Sequence, residues 1–377
     1  MQIDPIEVLR TRRSVKWSRY GPQVLPLFVA EMDYPVAAPI RETLTEMVAA
    51  SDLGYAMAPG RLGEAFAGFA ARRWGWQVQP DRVRTTTDVA TAIVEVLRQA
   101  IRPGDGVVIT PPIYPPFYDV VPEAGGTVVE VPLTCAPHGW DLDIAGIEAA
   151  LSSGRARAVL IANPHNPLGV ISSRLVELSE VAARHGAVVV ADEIHGPLTQ
   201  QPGAFTPFLS VGPAARQVGV CVTSASKSWN LAGTKCAVMV AASSATTALL
   251  DSMYDEVGFR TSLLGLHANI TAFSDPACEA WLDDALSAIA ESSALLSAEL
   301  AEHLPEVVYE PGAATYLAWL DFRALPEWGD DPSELALHRG VAINPGPSFG
   351  TQGRGFARLN LASAPEVIGE AVRRLAG

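Results

Sequence analysis

The sequence, 377 residues long, is poor in the features that mark several large protein classes. Its four cysteines, Cys135, Cys221, Cys236 and Cys278, show no CxxC spacing. Neither a disulfide framework nor a zinc site is indicated, and a reducing cytoplasm is the expected setting. Basic residues are outnumbered, 27 Lys and Arg against 41 Asp and Glu, for a formal net charge of −14. So acidic a surface argues against nucleic acid or an anionic membrane as the main partner. No apolar run approaches the roughly 18 residues of a membrane span, and the opening MQIDPIEVLRTRRS lacks the apolar core of a signal peptide. There is no GxGxxG after the first predicted strand and no P-loop lysine motif, which leaves Rossmann and P-loop nucleotide sites without support. A GxSxG is missing too, against an α/β-hydrolase. The seven histidines do not cluster at ligand spacings, so no metal is expected. His195, just after an acidic pair, is read as a hydrogen-bonding neighbour. Internal repeats and low-complexity linkers are also absent.

What is present is core-forming sequence. Hydrophobic residues make up 49% of the chain, enough for roughly two domains. The middle alternates strand-like and helix-like segments. Apolar runs occur at 82–86, 106–110, 127–133, 156–163, 186–192, 218–224 and 235–241, and helical stripes lie between them, one through Val89, Ala92, Ile93, Val96 and Leu97. The runs are continuous rather than alternating, as strands covered on both faces should be. The fold class expected is α/β, a large domain with a mostly parallel seven-stranded sheet between helices. After about residue 275 the texture changes to a long Ala/Leu/Glu-rich helix (278–303), a strand region at 314–322 and a final helix. This predicts a smaller α+β domain. The division expected is 45–275 for the large domain, with 1–44 and 276–377 forming the small one. The glycine-rich GTQGRG (350–355) is expected to be a surface loop far from the parallel sheet.

Ligands of open parallel sheets bind at the carboxyl ends of the strands. The residues to inspect are therefore those just after each strand, around Thr86–Val89, Thr110–Tyr114, Asn163–Asn166, Asp192–His195 and Ser224–Lys227. One stretch is conspicuous, CVTSASKSWNLAGTK (221–235), where a lysine closes a strand that should be buried. Buried lysines tend to serve chemistry.

ANPHNPLG (162–169), VVVADEIH (188–195) and TSASKSWNLAG (223–233) together resemble the signature of pyridoxal-phosphate enzymes of aminotransferase fold type I. FVAEMDYP (28–35), the pair Lys16–Trp17, Gly54–Tyr55, PPIYPPF (111–117), TYLAWLD (315–321) and GFARLNLA (355–362) extend the resemblance toward the cystathionine β-lyase, or C–S lyase, branch. Together the motifs span nearly the whole chain in the family's order.

The resemblance implies pyridoxal 5'-phosphate as cofactor and a role for each residue. Lys227 supplies the amine that carries pyridoxal and later acts as general base, which requires a depressed pKa. Asp192 pairs with the pyridine nitrogen so that the ring draws electrons, although an isolated aspartate there would equally be a helix cap. Asn166 bonds the phenolic oxygen with His195 close by, and Tyr114 lies against the ring face. The phosphate is met by the amides at Asp88 and Val89, where a helix opens, and by the hydroxyls of Ser224 and Ser226. Asp88 is an anion at this end, so its side chain is expected to turn away. Lys235 is assigned to the phosphate too, though a lysine at a strand start would suit its position as well. Gly233 is expected to let the chain turn close beneath the cofactor. Arg358 clamps the substrate α-carboxylate, Ala30 adds a backbone contact, and Tyr55 reaches a second subunit's phosphate in a homodimer with shared sites.

The expected activity is cleavage of cystathionine or another cysteine S-conjugate to thiol, pyruvate and ammonia. An aminotransferase on the same scaffold is the alternative, since both reactions begin by removing the Cα proton. A regulatory protein that keeps the fold without catalysis is a third. Phe28, Glu31 and Tyr34 depart from the branch's usual Trp, Asp and Phe at the substrate mouth, which leaves the substrate open.

Overall fold

The structure, a computed structural model, describes residues 1, 3–57, 59–136 and 139–377. All seven expected strands form: β1 (Val83–Thr86), β2 (Gly106–Ile109), β3 (Thr127–Glu130), β4 (Ala158–Ala162), β5 (Val188–Asp192), β6 (Gly219–Thr223) and β7 (Ala237–Ala241). They lie in one sheet in the order β1-β7-β6-β5-β4-β2-β3. β7 runs antiparallel to both neighbours, and the other pairings are parallel.

Continuous apolar strands arise because this sheet has two cores. Val107, Ile109, Leu160, Val190, Val222 and Met239 face one cluster, whereas Val108, Val159, Ile161, Val189, Cys221 and Val238 face the other. Side chains alternate across a strand, so a strand covered on both faces must be apolar at every position. Helix α1 (Val89–Ala100) closes the first core with the stripe read from the sequence, and α2 (Leu175–Arg184) closes the second through Leu175, Leu178 and Val181.

Downstream, α3 (Leu263–Ser274) leads into α4 (Pro276–His303). Pro276 opens α4, and Asp275 caps it by accepting the Ala277 amide. A four-stranded antiparallel sheet follows, β8 (Val308–Tyr309), β9 (Leu317–Asp321), β10 (Asn344–Pro345) and β11 (Phe356–Asn360), in the order β8-β9-β11-β10. The terminal helix α5 (Pro365–Ala376) packs on α4. The N-terminal segment joins this part through Leu25–Pro26, paired in parallel with Val341–Ala342.

Two expectations need correction. The division at 44/45 falls inside one helix, Ala38–Ala49, which packs on α3 and α4. The 350–355 stretch is not remote from the large sheet. The Phe349 carbonyl accepts the Ile113 amide at 2.8 Å just beyond β2, and Gly346 and Gly353 meet so closely that a side chain on either would strike the other's backbone. Among the described residues no helix is long and apolar enough to cross a membrane.

Candidate active site

The register of the central strands sets the site. Ala162 pairs with Asp192, and Asp192 with Val222, so the loops after β4, β5 and β6 leave the sheet side by side. A cavity of about 610 Å³ opens above them, lined by Asn166, Asp192, His195, Ser226 and Lys227 from those loops. Asp88, Val89 and Tyr114 close one side, Lys235 another, and Arg358 of β11 reaches in from the smaller sheet. A larger cleft of about 1110 Å³ lies elsewhere, around Asp141, Ser172 and Ser173. Those three bond to one another, each serine hydroxyl donating to the Asp141 carboxylate at 2.6 Å, and offer no comparable set of reactive groups.

Lys227 stands in a one-turn helix, Ala225–Ser228, capped by Ser224. The Ser224 hydroxyl accepts the Ser226 amide at 3.0 Å and donates to the Cys236 carbonyl at 2.6 Å. Ser224 is fully buried, and its hydroxyl is engaged in holding the turn that carries the lysine, while Ser226 is the serine that lines the cavity. The Lys227 Nζ donates to the Ala30 carbonyl at 2.9 Å. Burial first, and the Arg358 charge second, pull its pKa down to about 8, against the opposing pull of Glu31 and Asp192. Ala30 is thus a partner of the lysine, a bond shared with the Tyr316 hydroxyl at 3.1 Å. Gly233 has open space around it and no left-handed backbone. The tight geometry falls instead on Asn230 and Lys235, at φ 58° and 60°. Asn230 grips Met32 at both backbone atoms, accepting its amide at 2.9 Å and donating to its carbonyl at 2.8 Å.

Asp192 is 6% exposed. Burial raises its pKa to about 7, although the Ile194 amide at 3.1 Å and the Lys227 charge work in the other direction. A buried carboxylate this short of positive charge suits a protonated ring nitrogen. Glu193 points the other way. It accepts the Phe208 amide at 2.6 Å and the Cys221 thiol at 2.9 Å, and burial pushes it up to about 8. His195 is buried, and its Nδ1 has no hydrogen-bond partner among the described residues. Burial and the charges of Lys227 and Arg358 hold it down at about 3, so it is neutral.

Arg358 sits across from Trp319 in the β9–β11 register and is 3% exposed. Its guanidinium donates to Asn166 Oδ1 at 3.1 Å and to the Phe28 carbonyl at 3.0 Å, lies over the Phe349 ring at 5.2 Å, and keeps Nε unpaired. Burial lowers its pKa to about 10. It remains a cation with donors left for an anion, and Asn166, whose oxygen it occupies, keeps its amide hydrogens to donate.

At the far end α1 opens toward the cavity. Asp88 does not turn its carboxylate away. One oxygen caps the helix, accepting the amide and hydroxyl of Thr91 at 2.9 Å, and the other pairs with Lys235 Nζ at 2.9 Å. Burial raises the Asp88 pKa, but the Thr91 amide and Lys235 outweigh it and hold it below the usual range. Thr86 Oγ1, buried at the end of β1, has no partner among the described residues. Tyr55 is 94% exposed and lies outside the cavity of its own chain.

Sequence reasoning gave no role to Tyr316 or Asn360. Asn360 Nδ2 donates to the carbonyls of Val29 at 2.7 Å and Glu31 at 2.6 Å. Its position two residues after Arg358 on one strand face was the available signal. Taken together, a loosely protonated lysine, a buried carboxylate short of a cation, an unpaired histidine nitrogen and a helix N-terminus fit pyridoxal phosphate.

Comparison with known proteins agrees. The profile described as aminotransferase class I and II matches residues 53–375. A cystathionine beta-lyase of Corynebacterium glutamicum is 33% identical over 382 residues, spanning 100% of this chain and 99% of that one. Cystathionine beta-lyase PatB of Bacillus subtilis (strain 168) is 31% identical over 390 residues, with the same coverage of 100% and 99%. Among solved structures, cystalysin from Treponema denticola, which contains a pyridoxal 5'-phosphate cofactor, matches with a TM-score of 0.89 at 26% identity, over 96% of this chain and 94% of that chain.

Proposed function

The chain belongs to the aminotransferase class I and II family, and on that footing we propose that it is a pyridoxal-phosphate-dependent carbon–sulfur lyase. It cleaves cystathionine, or a related cysteine S-conjugate, to a thiol, pyruvate and ammonia. The observation that carries this is Lys227, an amine of depressed pKa facing a buried Asp192 and a buried Arg358 in one cavity. Full-length similarity to relatives named cystathionine beta-lyase favours the lyase over a transaminase.

The cofactor, when bound, supplies an electron sink for the bond broken at Cα. Asp192 would hold its ring nitrogen, Asn166 and His195 its ring oxygen, and Tyr114 its face. The amides of Asp88 and Val89, the Ser226 hydroxyl and Lys235 would hold its phosphate. Arg358 takes the substrate α-carboxylate through its fork, its plane fixed by Asn166 and the Phe28 carbonyl. Lys227, as the neutral amine, accepts the Cα proton on Nζ. The Cβ–S bond then breaks with its electron pair on sulfur, which takes up a proton and leaves as the thiol. One water converts the remaining three-carbon fragment to pyruvate and ammonia.

The proposal includes a homodimer. Tyr55, with Leu53 and Met57 on the same short stretch, presents apolar surface to solvent in the single chain, and a second copy would cover it and receive Tyr55 at its phosphate end. The cytoplasm is the proposed location, in keeping with the free cysteines at 221, 236 and 278.

The test is to incubate protein with cystathionine, with and without an α-keto acid, and to follow pyruvate. Release that needs no keto acid is the expected outcome. Strict dependence on keto acid would replace the lyase by the aminotransferase.

A further inference from the structure

Lys227, Asp192, Asn166 and Arg358 serve only the reacting half of cystathionine. Its leaving half is itself an α-amino acid, so a second ammonium and a second carboxylate must come to rest somewhere beyond the sulfur. The N-terminal segment also lines the cavity, through Val15, Arg19, Phe28 and Glu31.

These four side chains divide by chemistry. Val15 and Phe28 give apolar wall for the methylene and thioether stem. The Arg19 guanidinium lies over the rings of Phe28 at 5.5 Å and Tyr20 at 5.7 Å, and among the described residues no carboxylate stands within the 4.0 Å of an ion pair to it. Stacking of this kind fixes the plane of the fork and leaves its edge free for an oxyanion. Glu31 accepts the Ser14 hydroxyl on one oxygen, and no cation pairs with it among the described residues. It lines the same cavity as Lys227. One cation and one anion without ion-pair partners among the described residues therefore line the cavity that holds Lys227, beside the apolar Val15 and Phe28.

We infer that Arg19 and Glu31 form a distal subsite, Arg19 binding the carboxylate and Glu31 the ammonium of a leaving group that is an amino acid. The preferred substrates are then thioethers with a zwitterionic leaving half, ahead of simple S-alkylcysteines. This rests on the lyase function proposed above.

The experiment uses four substrates on the cofactor-loaded protein, following pyruvate released without keto acid. They are cystathionine, S-ethylcysteine, S-(3-aminopropyl)cysteine, which keeps only the distal ammonium, and S-(3-carboxypropyl)cysteine, which keeps only the distal carboxylate. The wild type should favour cystathionine over S-ethylcysteine in kcat/KM. Glu31→Gln, which retains an acceptor for Ser14, should lower the aminopropyl-to-ethyl ratio about tenfold and leave the carboxypropyl-to-ethyl ratio in place, the size expected for one charge-assisted contact. Arg19→Gln should do the reverse. A wild type that cleaves S-ethylcysteine as well as cystathionine, or variants that lower all four substrates by one common factor, would overturn the subsite while leaving the lyase intact. Absence of pyruvate from every substrate would defeat the lyase itself, and the subsite with it.

Discussion

Of the chain's three lysines, two project into the interior, and both donate to the same strip of backbone, residues 28–33. Lys16 Nζ donates to the Glu31 carbonyl at 3.1 Å, and Lys227 Nζ to the Ala30 carbonyl at 2.9 Å. Lys16 is the more buried, at 1% exposure. What separates them is the counter-charge. Lys16 meets Asp33 at 2.8 Å, and Asp33 is also held by Trp17 Nε1 at 3.2 Å and the Ser363 hydroxyl at 2.7 Å. Burial pulls the Lys16 pKa down, but a carboxylate in contact opposes it. Lys227 has only a carbonyl at contact distance and a guanidinium nearby, so its proton is held loosely. Depth of burial does not make a lysine reactive; the absence of a partner carboxylate does.

The sharpest way to break this contrast is to remove each amine in turn. Lys227→Ala should lower turnover by about 1,000-fold or more, the weight of a lost general base, with a melting temperature near that of the wild type. A variant that keeps its rate would place the reactive amine elsewhere, with Lys235 the first suspect. Lys16→Met should do the opposite. It leaves Asp33 buried without its cation and should cost about 3–5 kcal/mol of stability, read from denaturant unfolding. If stability is unchanged, the Lys16–Asp33 pair does not hold the strip.

A smaller effect sharpens the comparison. Ligand-free protein should take up pyridoxal phosphate through the neutral form of Lys227. Its pKa is depressed to about 8, so the amine is protonated below that pH and free above it. The uptake rate should climb about tenfold from pH 7 to pH 9 and then level off, measured by absorbance after rapid mixing. A flat profile over that window would assign uptake to a different group.

These residues also mark what the sequence could convey. Lys227, Asp192 and Asn166 were legible because each follows or ends an apolar strand, where chain direction delivers it to the shared edge, whereas Arg358, in the middle of β11 in the smaller sheet, was legible only through the resemblance carried by GFARLNLA. The helical stripe of α1 was legible through its period. The carbonyls of Phe28 and Met32 were not, because every residue carries one and no side chain announces its use, and the backbone contact expected of Ala30 came only from the resemblance. Ser224 and Asp88 were placed correctly along the chain, but their hydroxyl and carboxylate found the Cys236 carbonyl and Lys235, partners fixed only when β7 lies beside β6. Gly233 suggested a tight turn, yet the left-handed backbone fell on Asn230 and Lys235, where bonds to Met32 and Asp88 hold it.

The strip at 28–33 also ties the site to the order in which the chain is made. Arg358 meets Phe28 across 330 positions, and Asn360 meets Val29 across 331. The strip's own footing, Leu25–Pro26, pairs with Val341–Ala342. During synthesis the seven-stranded sheet can close with Lys227 already in place, while the Ala30 carbonyl that accepts its hydrogen bond still hangs from an unpaired N-terminal arm. The arm's partners in Val341–Ala342 and β11 are made last, so competence to bind the substrate carboxylate through Arg358 is among the final properties a nascent chain acquires.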